Sequence, residues 1–137
     1  MAKPNKHRLI AAALHAREGA VAPYSKFQVG AALLTADGQI ITGANVESAS
    51  YGLTCCAERV ALFNALTSGH RKFSAIAIVA PIAGGPTPCG ACRQLLMEYA
   101  SKARVWTADA ARPSRVREFR VARLLPEPFL FLPGDSD

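Results

Sequence analysis

The chain is poor in cysteine, aromatic residues and acidic residues. Its 137 positions hold four Cys, one Trp and 7% aromatic residues. Four thiols are too few for the disulfide framework of a small secreted scaffold. No apolar run approaches the ~20 residues needed to cross a bilayer. The opening MAKPNKHRLIAAALHAREG lacks the long uncharged core of a secretory signal. A reducing, cytoplasmic setting with no membrane association is therefore expected, in which thiols stay available for metal or chemistry. Half of the residues are apolar, which argues against disorder and suits a packed α/β unit. The length suits one domain spanning residues 1–137, and no linker or internal repeat divides it.

Asp and Glu number 10 against 16 Lys and Arg, a formal charge of +6. Such a field attracts phosphates. Yet the arginines of ARPSRVREFRVAR alternate with Val116, Phe119 and Val121 as on the solvated face of an extended segment, so a solvated surface competes with an anion-holding role. The chain carries no appended aromatic and basic module, and nucleic acid is not the expected partner.

Apolar spacing predicts a helix from Lys6 to Glu18 with Leu9, Ile10, Ala13, Leu14 and Ala16 on one face and Gly19 as its stop. GAVAPYSKF reads as a loop. QVGAALLTADGQIITGANV reads as a hairpin turning at Asp37-Gly38. A second helix is expected from Thr54 to about Ser68, burying Val60, Ala61, Phe63, Ala65 and Leu66. FSAIAIVA is nearly all apolar, as for a central strand covered on both faces. IAGGPTPCG is a loop, and a third helix is expected from Pro88, capped by Thr87, to Ala100, packing Leu95, Leu96 and Met97. RVWTA and RVREFRV complete the order as two strands. The fold class is α/β, a mixed sheet with helices on both faces.

Cys89-Gly90-Ala91-Cys92 has Cys-x-x-Cys spacing, which fits a metal site, a redox dithiol or an inert pair. Both cysteines fall at a helix start, where unpaired N–H groups and the helix dipole favour thiolates. Cys56 opens the preceding helix. If the two helices follow neighbouring strands, their starts converge beyond the strand ends, where open α/β sheets bind ligands. Cys56, Cys89 and Cys92 would then hold one ion, best Zn²⁺, leaving a fourth position open as in catalytic zinc sites. Adjacent residues on a helix point about 100° apart, so Cys55 is read as a small apolar residue and not as a fourth ligand. Glu58, two residues past Cys56, then acquires a role: a zinc-activated water can attack an electron-poor ring carbon while the carboxyl moves its proton to the ring nitrogen and the leaving amine. Arg59 or Arg93 could offset the charge of three thiolates by donating to sulfur, Arg59 being preferred because it follows Glu58 directly.

FQVGAALL, NVESASYGLTCCAER, PCGACRQ and LLPEPF, taken together, resemble the small homotetrameric zinc-dependent cytidine deaminases. The resemblance runs from the first helix to about Phe129. It implies a five-stranded mixed sheet between helices, zinc on Cys56, Cys89 and Cys92, and Glu58 as proton shuttle in deamination of cytidine and deoxycytidine, with pyrimidine salvage as the cellular role. It further implies Asn45 and Glu47 on the ribose hydroxyls, Phe27 beside the pyrimidine, the Ala57 backbone near the base, and Tyr51 and Phe129 closing a neighbouring subunit's pocket. From the residues alone, Asn45 reads as a turn residue and Phe27 as a core residue. Leu125, Phe129, Leu130, Phe131 and Leu132 suit burial against another copy or within the same chain. Two departures stand out, Ser48 and Cys55, where relatives often carry Asn. Ser48 raises the question of how Glu47 is positioned. Competing functions are a zinc aminohydrolase for a modified cytosine nucleoside of the blasticidin type and a non-catalytic zinc-binding protein.

Overall fold

A computed structural model describes residues 5–131; Leu132 lies outside that range. Helix α1 (Lys6–Ala16) is capped by Asn5, whose side chain accepts from the Arg8 N–H, and a 3₁₀ turn (Arg17–Gly19) ends it where Gly19 was expected to. The hairpin forms as read: β1 (Gly30–Thr35) and β2 (Ile40–Ala44) pair antiparallel around Asp37-Gly38. Helix α2 (Ala57–Thr67) leads to β3 (Phe73–Ala80), then α3 (Gly90–Tyr99), β4 (Arg104–Asp109), β5 (Arg117–Arg120) and a short α4 (Val121–Leu124).

The strand order is β2-β1-β3-β4-β5, with β3 parallel to β4 and every other neighbouring pair antiparallel. β3 is the central strand, buried along almost its whole length, as its unbroken apolar run required. Alternation of side chains splits the core in two. Ala32, Leu34, Ala75, Ala77, Val79 and Trp106 pack on Leu9, Ile10 and Ala13 of α1. Ala31, Leu33, Ile76, Ile78 and Val105 pack on Ala57, Ala61 and Leu62 of α2 and Leu96 of α3. One helix therefore covers one face and two cover the other, an α/β/α sandwich.

Several boundaries move. α2 begins at Ala57, three residues later than expected, because Thr54 and Cys55 are extended and Cys55 pairs through its backbone with Val46. Its buried stripe is Ala57, Glu58, Ala61, Leu62 and Ala65, the i, i+4 row facing the sheet; Phe63 falls outside it and is exposed. α3 starts at Gly90 with Cys89 as its N-cap, so Thr87 is not the cap and Pro88 precedes the helix. The strand expected to run to Val121 ends at Arg120, where the backbone turns into α4.

Two glycines set how closely the helices approach the hairpin. A Cβ on Gly30 would lie 2.0 Å from the Ala13 carbonyl oxygen of α1. On the opposite face, a Cβ on Gly43 would lie 2.5 Å from the Ala61 nitrogen and 2.7 Å from the Ala57 oxygen of α2. The second contact seats the first turn of the helix that carries Cys56 and Glu58. Gly43→Ala should therefore cost about 1–3 kcal/mol, since backbone cannot yield as a flexible side chain can. Denaturant unfolding checks this, and unchanged stability would mean that α2 can retreat from β2 freely.

Candidate active site

The starts of α2 and α3 meet at the ends of the central strands. Cys56 and Cys89 are the N-cap residues of the two helices, and neither caps its helix through its side chain. N-cap positions favour Ser, Thr, Asp or Asn, whose oxygens satisfy orphan N–H groups. Here both positions present sulfur instead. Cys92, in the first turn of α3, is fully buried and completes the group.

The sulfurs of Cys56, Cys89 and Cys92 all lie within 4.8 Å of one another. Cys56 to Cys89 is 3.9 Å and Cys89 to Cys92 is 3.5 Å. Tetrahedral zinc with Zn–S bonds of ~2.3 Å requires sulfurs ~3.8 Å apart, so the spacing fits that ion. Cys55 is outside the group, and burial pushes its thiol up.

The charges point the same way. Cys56 is drawn down to about 5, first by the hydrogen bond from Cys92 and then by Arg59, although burial opposes the change. Its partner Cys92 is pushed up, first by that same hydrogen bond to Cys56 and then by burial and Glu58. Protein groups thus ionise one thiol of this pair at the expense of the other. A full set of thiolates needs a cation, which is the chemistry of a soft divalent metal site.

Arg59 Nη2 lies 3.3 Å from the Cys56 sulfur and 3.4 Å from the Thr54 carbonyl oxygen. Of the two arginines considered for this contact, Arg59 makes it. Arg93 donates instead to the Pro88 oxygen at 2.7 Å and the Leu124 oxygen at 3.0 Å, tying the loop that carries Cys89 to α4. Its guanidinium is drawn off by two carbonyls that no spacing rule reveals.

Glu58 sits in the first turn of α2 and is 6% exposed. Burial pushes its carboxyl up to about 7, and the Cys56 charge adds to the push. A carboxyl in that range can both take and give a proton near neutrality.

A cavity of about 400 Å³ is lined by Tyr24, Ser25, Glu47, Ser48, Tyr51 and Thr54. That volume falls within the ~300–1,000 Å³ of small-molecule sites. Of the residues expected to touch a nucleoside, Glu47 and Tyr51 line it. Thr54 joins it to the sulfurs, because its carbonyl shares the Arg59 guanidinium with Cys56.

The other expected contacts have further commitments. Asn45 is buried, and its amide donates to the Phe27 oxygen at 2.8 Å and accepts from the Val29 N–H at 2.9 Å. It braces the segment that carries Phe27, which accounts for the turn-like reading of Asn45 and leaves one amide hydrogen for a ligand. Phe27 is not core but 36% exposed. Ala57 is buried at the helix start. The Ser48 side chain does not bond the Glu47 carboxylate; its hydroxyl accepts from the Ser50 N–H, and the Ser48 N–H donates to the Thr54 hydroxyl. Glu47 is held from the other side by Tyr24 and Ser25, residues read only as loop. Tyr51 is 79% exposed and Phe129 73%. Gln94 binds the Phe129 carbonyl at 2.7 Å and fixes the tail along α3 with that ring outward.

The profile of the cytidine and deoxycytidylate deaminase zinc-binding region matches residues 3–108. A cytidine deaminase of Halalkalibacterium halodurans is 49% identical over 126 residues, covering 91% of this chain and 94% of that one. A cytidine deaminase of Sporosarcina psychrophila is 46% identical, covering 89% of each. Among solved structures, a cytidine deaminase from Burkholderia pseudomallei superposes with a TM-score of 0.87 at 49% identity, over 92% of this chain and all of that one.

The cysteines separate cleanly by position. Cys56→Ser, Cys89→Ser and Cys92→Ser should each lose most of the bound zinc, measured by elemental analysis of the purified protein, whereas Cys55→Ser should keep about one ion per chain. Loss of zinc from Cys55→Ser would place the ligand set elsewhere.

Proposed function

The chain belongs to the cytidine and deoxycytidylate deaminase zinc-binding family, and on that premise we propose that it hydrolyses cytidine and deoxycytidine to uridine and deoxyuridine with release of ammonia, in pyrimidine salvage. The observation that carries this reading is the meeting of three sulfurs at two helix starts beside the buried carboxyl of Glu58.

Cys56, Cys89 and Cys92 hold the zinc. When bound there, the ion supplies Lewis acidity that makes water a nucleophile at neutral pH. Glu58 is placed to take, in turn, both protons of the water that would attack C4 of the pyrimidine. It delivers protons to N3 and to the exocyclic amine, so that ammonia leaves and the C4 carbonyl forms. The elevated range of the Glu58 carboxyl suits a group that must be unprotonated before the attack and protonated after it. Arg59 offsets part of the sulfur charge through Cys56, which would otherwise blunt the electrophilicity of the centre. The Ala57 backbone orients the base. Phe27 stacks on it, and Glu47 with the free amide hydrogen of Asn45 holds ribose hydroxyls.

Tyr51 and Phe129 belong to the assembled form. Both rings are exposed on one chain, Tyr51 at the wall of that chain's own cavity. In a homotetramer each would close a pocket of a neighbouring copy, with the tail from about residue 124 packed at the interface. No helix among the described residues is long and apolar enough to cross a membrane.

Glu58→Gln should leave zinc content and fold intact while cutting cytidine-dependent ammonia release by about 10³-fold or more. Turnover preserved in this variant would reject Glu58 as the shuttle, and absence of cytidine turnover in the wild type would reject the function itself. Sedimentation should give a tetramer, and Phe129→Ala should raise KM without releasing zinc. A monomer with full activity would remove Tyr51 and Phe129 from the site.

A further inference from the structure

We propose that Ser25 is a positioning residue, aiming Glu47 and Phe27 together at one nucleoside. The inference rests on the reading that Glu47 holds a ribose hydroxyl. A carboxylate has about four acceptor directions, and three of those on Glu47 are filled from one short segment. Oε1 accepts from the backbone N–H groups of Tyr24, at 3.1 Å, and Ser25, at 3.0 Å. Oε2 accepts from the Ser25 hydroxyl. One direction on Oε2 is left for a ligand, in a cavity whose wall includes both residues.

The same hydroxyl faces the other way as well. Ser25 Oγ accepts from the Phe27 N–H at 3.0 Å, so one side chain links the carboxylate to the backbone of the aromatic residue. Lys26, between them, has φ 60, a left-handed conformation that a non-glycine residue holds only when its surroundings impose it. Here the surroundings are the Ser25 hydroxyl, which holds the N–H of the following Phe27, and the Ala22 carbonyl, which accepts from the Lys26 N–H at 3.0 Å. The whole turn is laced to the segment bearing Glu47: Val21 N–H donates to the Asn45 oxygen at 2.9 Å, and Glu47 N–H to the Val21 oxygen at 2.8 Å. The Glu47 carboxyl accordingly lies below its usual range, with the Ser25 hydroxyl as the largest cause.

Ser25→Ala removes the hydroxyl but leaves both backbone donors to Oε1. Glu47 stays near the cavity, yet Oε2 is free to turn and the Phe27 segment loses its tie. The expected result is a rise of about tenfold in KM for cytidine, the scale of one hydrogen bond to a charged group, with kcat within about twofold and zinc content unchanged. Ser25→Thr, which keeps the hydroxyl, should restore KM. In the double variant Ser25→Ala/Glu47→Ala, KM should exceed that of Glu47→Ala by much less than the roughly tenfold expected in the wild-type background, the remainder being the loss of the Phe27 tie. An unchanged KM in Ser25→Ala, or losses that simply multiply in the double variant, would overturn this role while leaving the deaminase intact. A wild type that does not turn over cytidine would instead overturn the functional reading and this inference with it.

Discussion

Three sulfurs that repel one another as thiolates have been brought within one ion's reach, and the rest of the molecule is arranged around that demand. The two helix starts supply the positive ends of their dipoles and leave their capping positions to cysteine. Arg59 adds a full charge at the Cys56 sulfur. The parallel pair β3 and β4, with α2 leading into β3 and α3 crossing from β3 to β4, brings the two starts to the same end of the sheet. Glu58 is buried by the same arrangement, since the helix face that packs on the sheet is the one that carries it.

Legibility in the sequence followed the range of the forces involved. β3 could be read because eight consecutive residues suit burial on both faces, and the hairpin because its turn residues are local. The cysteine and glutamate spacings could be read because their chemistry leaves few substitutes. Helix starts could not be placed to the residue: Cys55 is held extended by a two-way backbone bridge to Val46, and Pro88 lies outside α3 because Cys89 takes the cap. The helical pattern offers Phe63 for the core, and only the orientation of α2 against the sheet puts Leu62 there in its place. The Leu124 partner of Arg93 and the Glu47 partner of Ser25 are not legible for a related reason, since they lie 31 and 22 residues away along the chain.

The cavity is built on a different plan from the metal centre. Its wall is loop, and its precision comes from hydrogen bonds between loop segments, with Asn45 bracing the backbone around Phe27 and Ser25 bracing Glu47. Polar side chains thus serve twice, fixing the backbone first and offering one remaining valence to a ligand. On this side the chain leaves aromatic surface at Tyr51 outward, while the tail along α3 does the same at Phe129.

Cys56 and Cys89 stand 33 positions apart, with all of α2 and β3 between them. An ion shared by their sulfurs therefore stitches the chain into a covalent-like ring that takes in its most buried strand. By the loop-entropy relation for cross-links, a closure of that span restricts the unfolded chain by ~4 kcal/mol. With an ion held there, heat tolerance would follow metal occupancy, and a chelator would lower both.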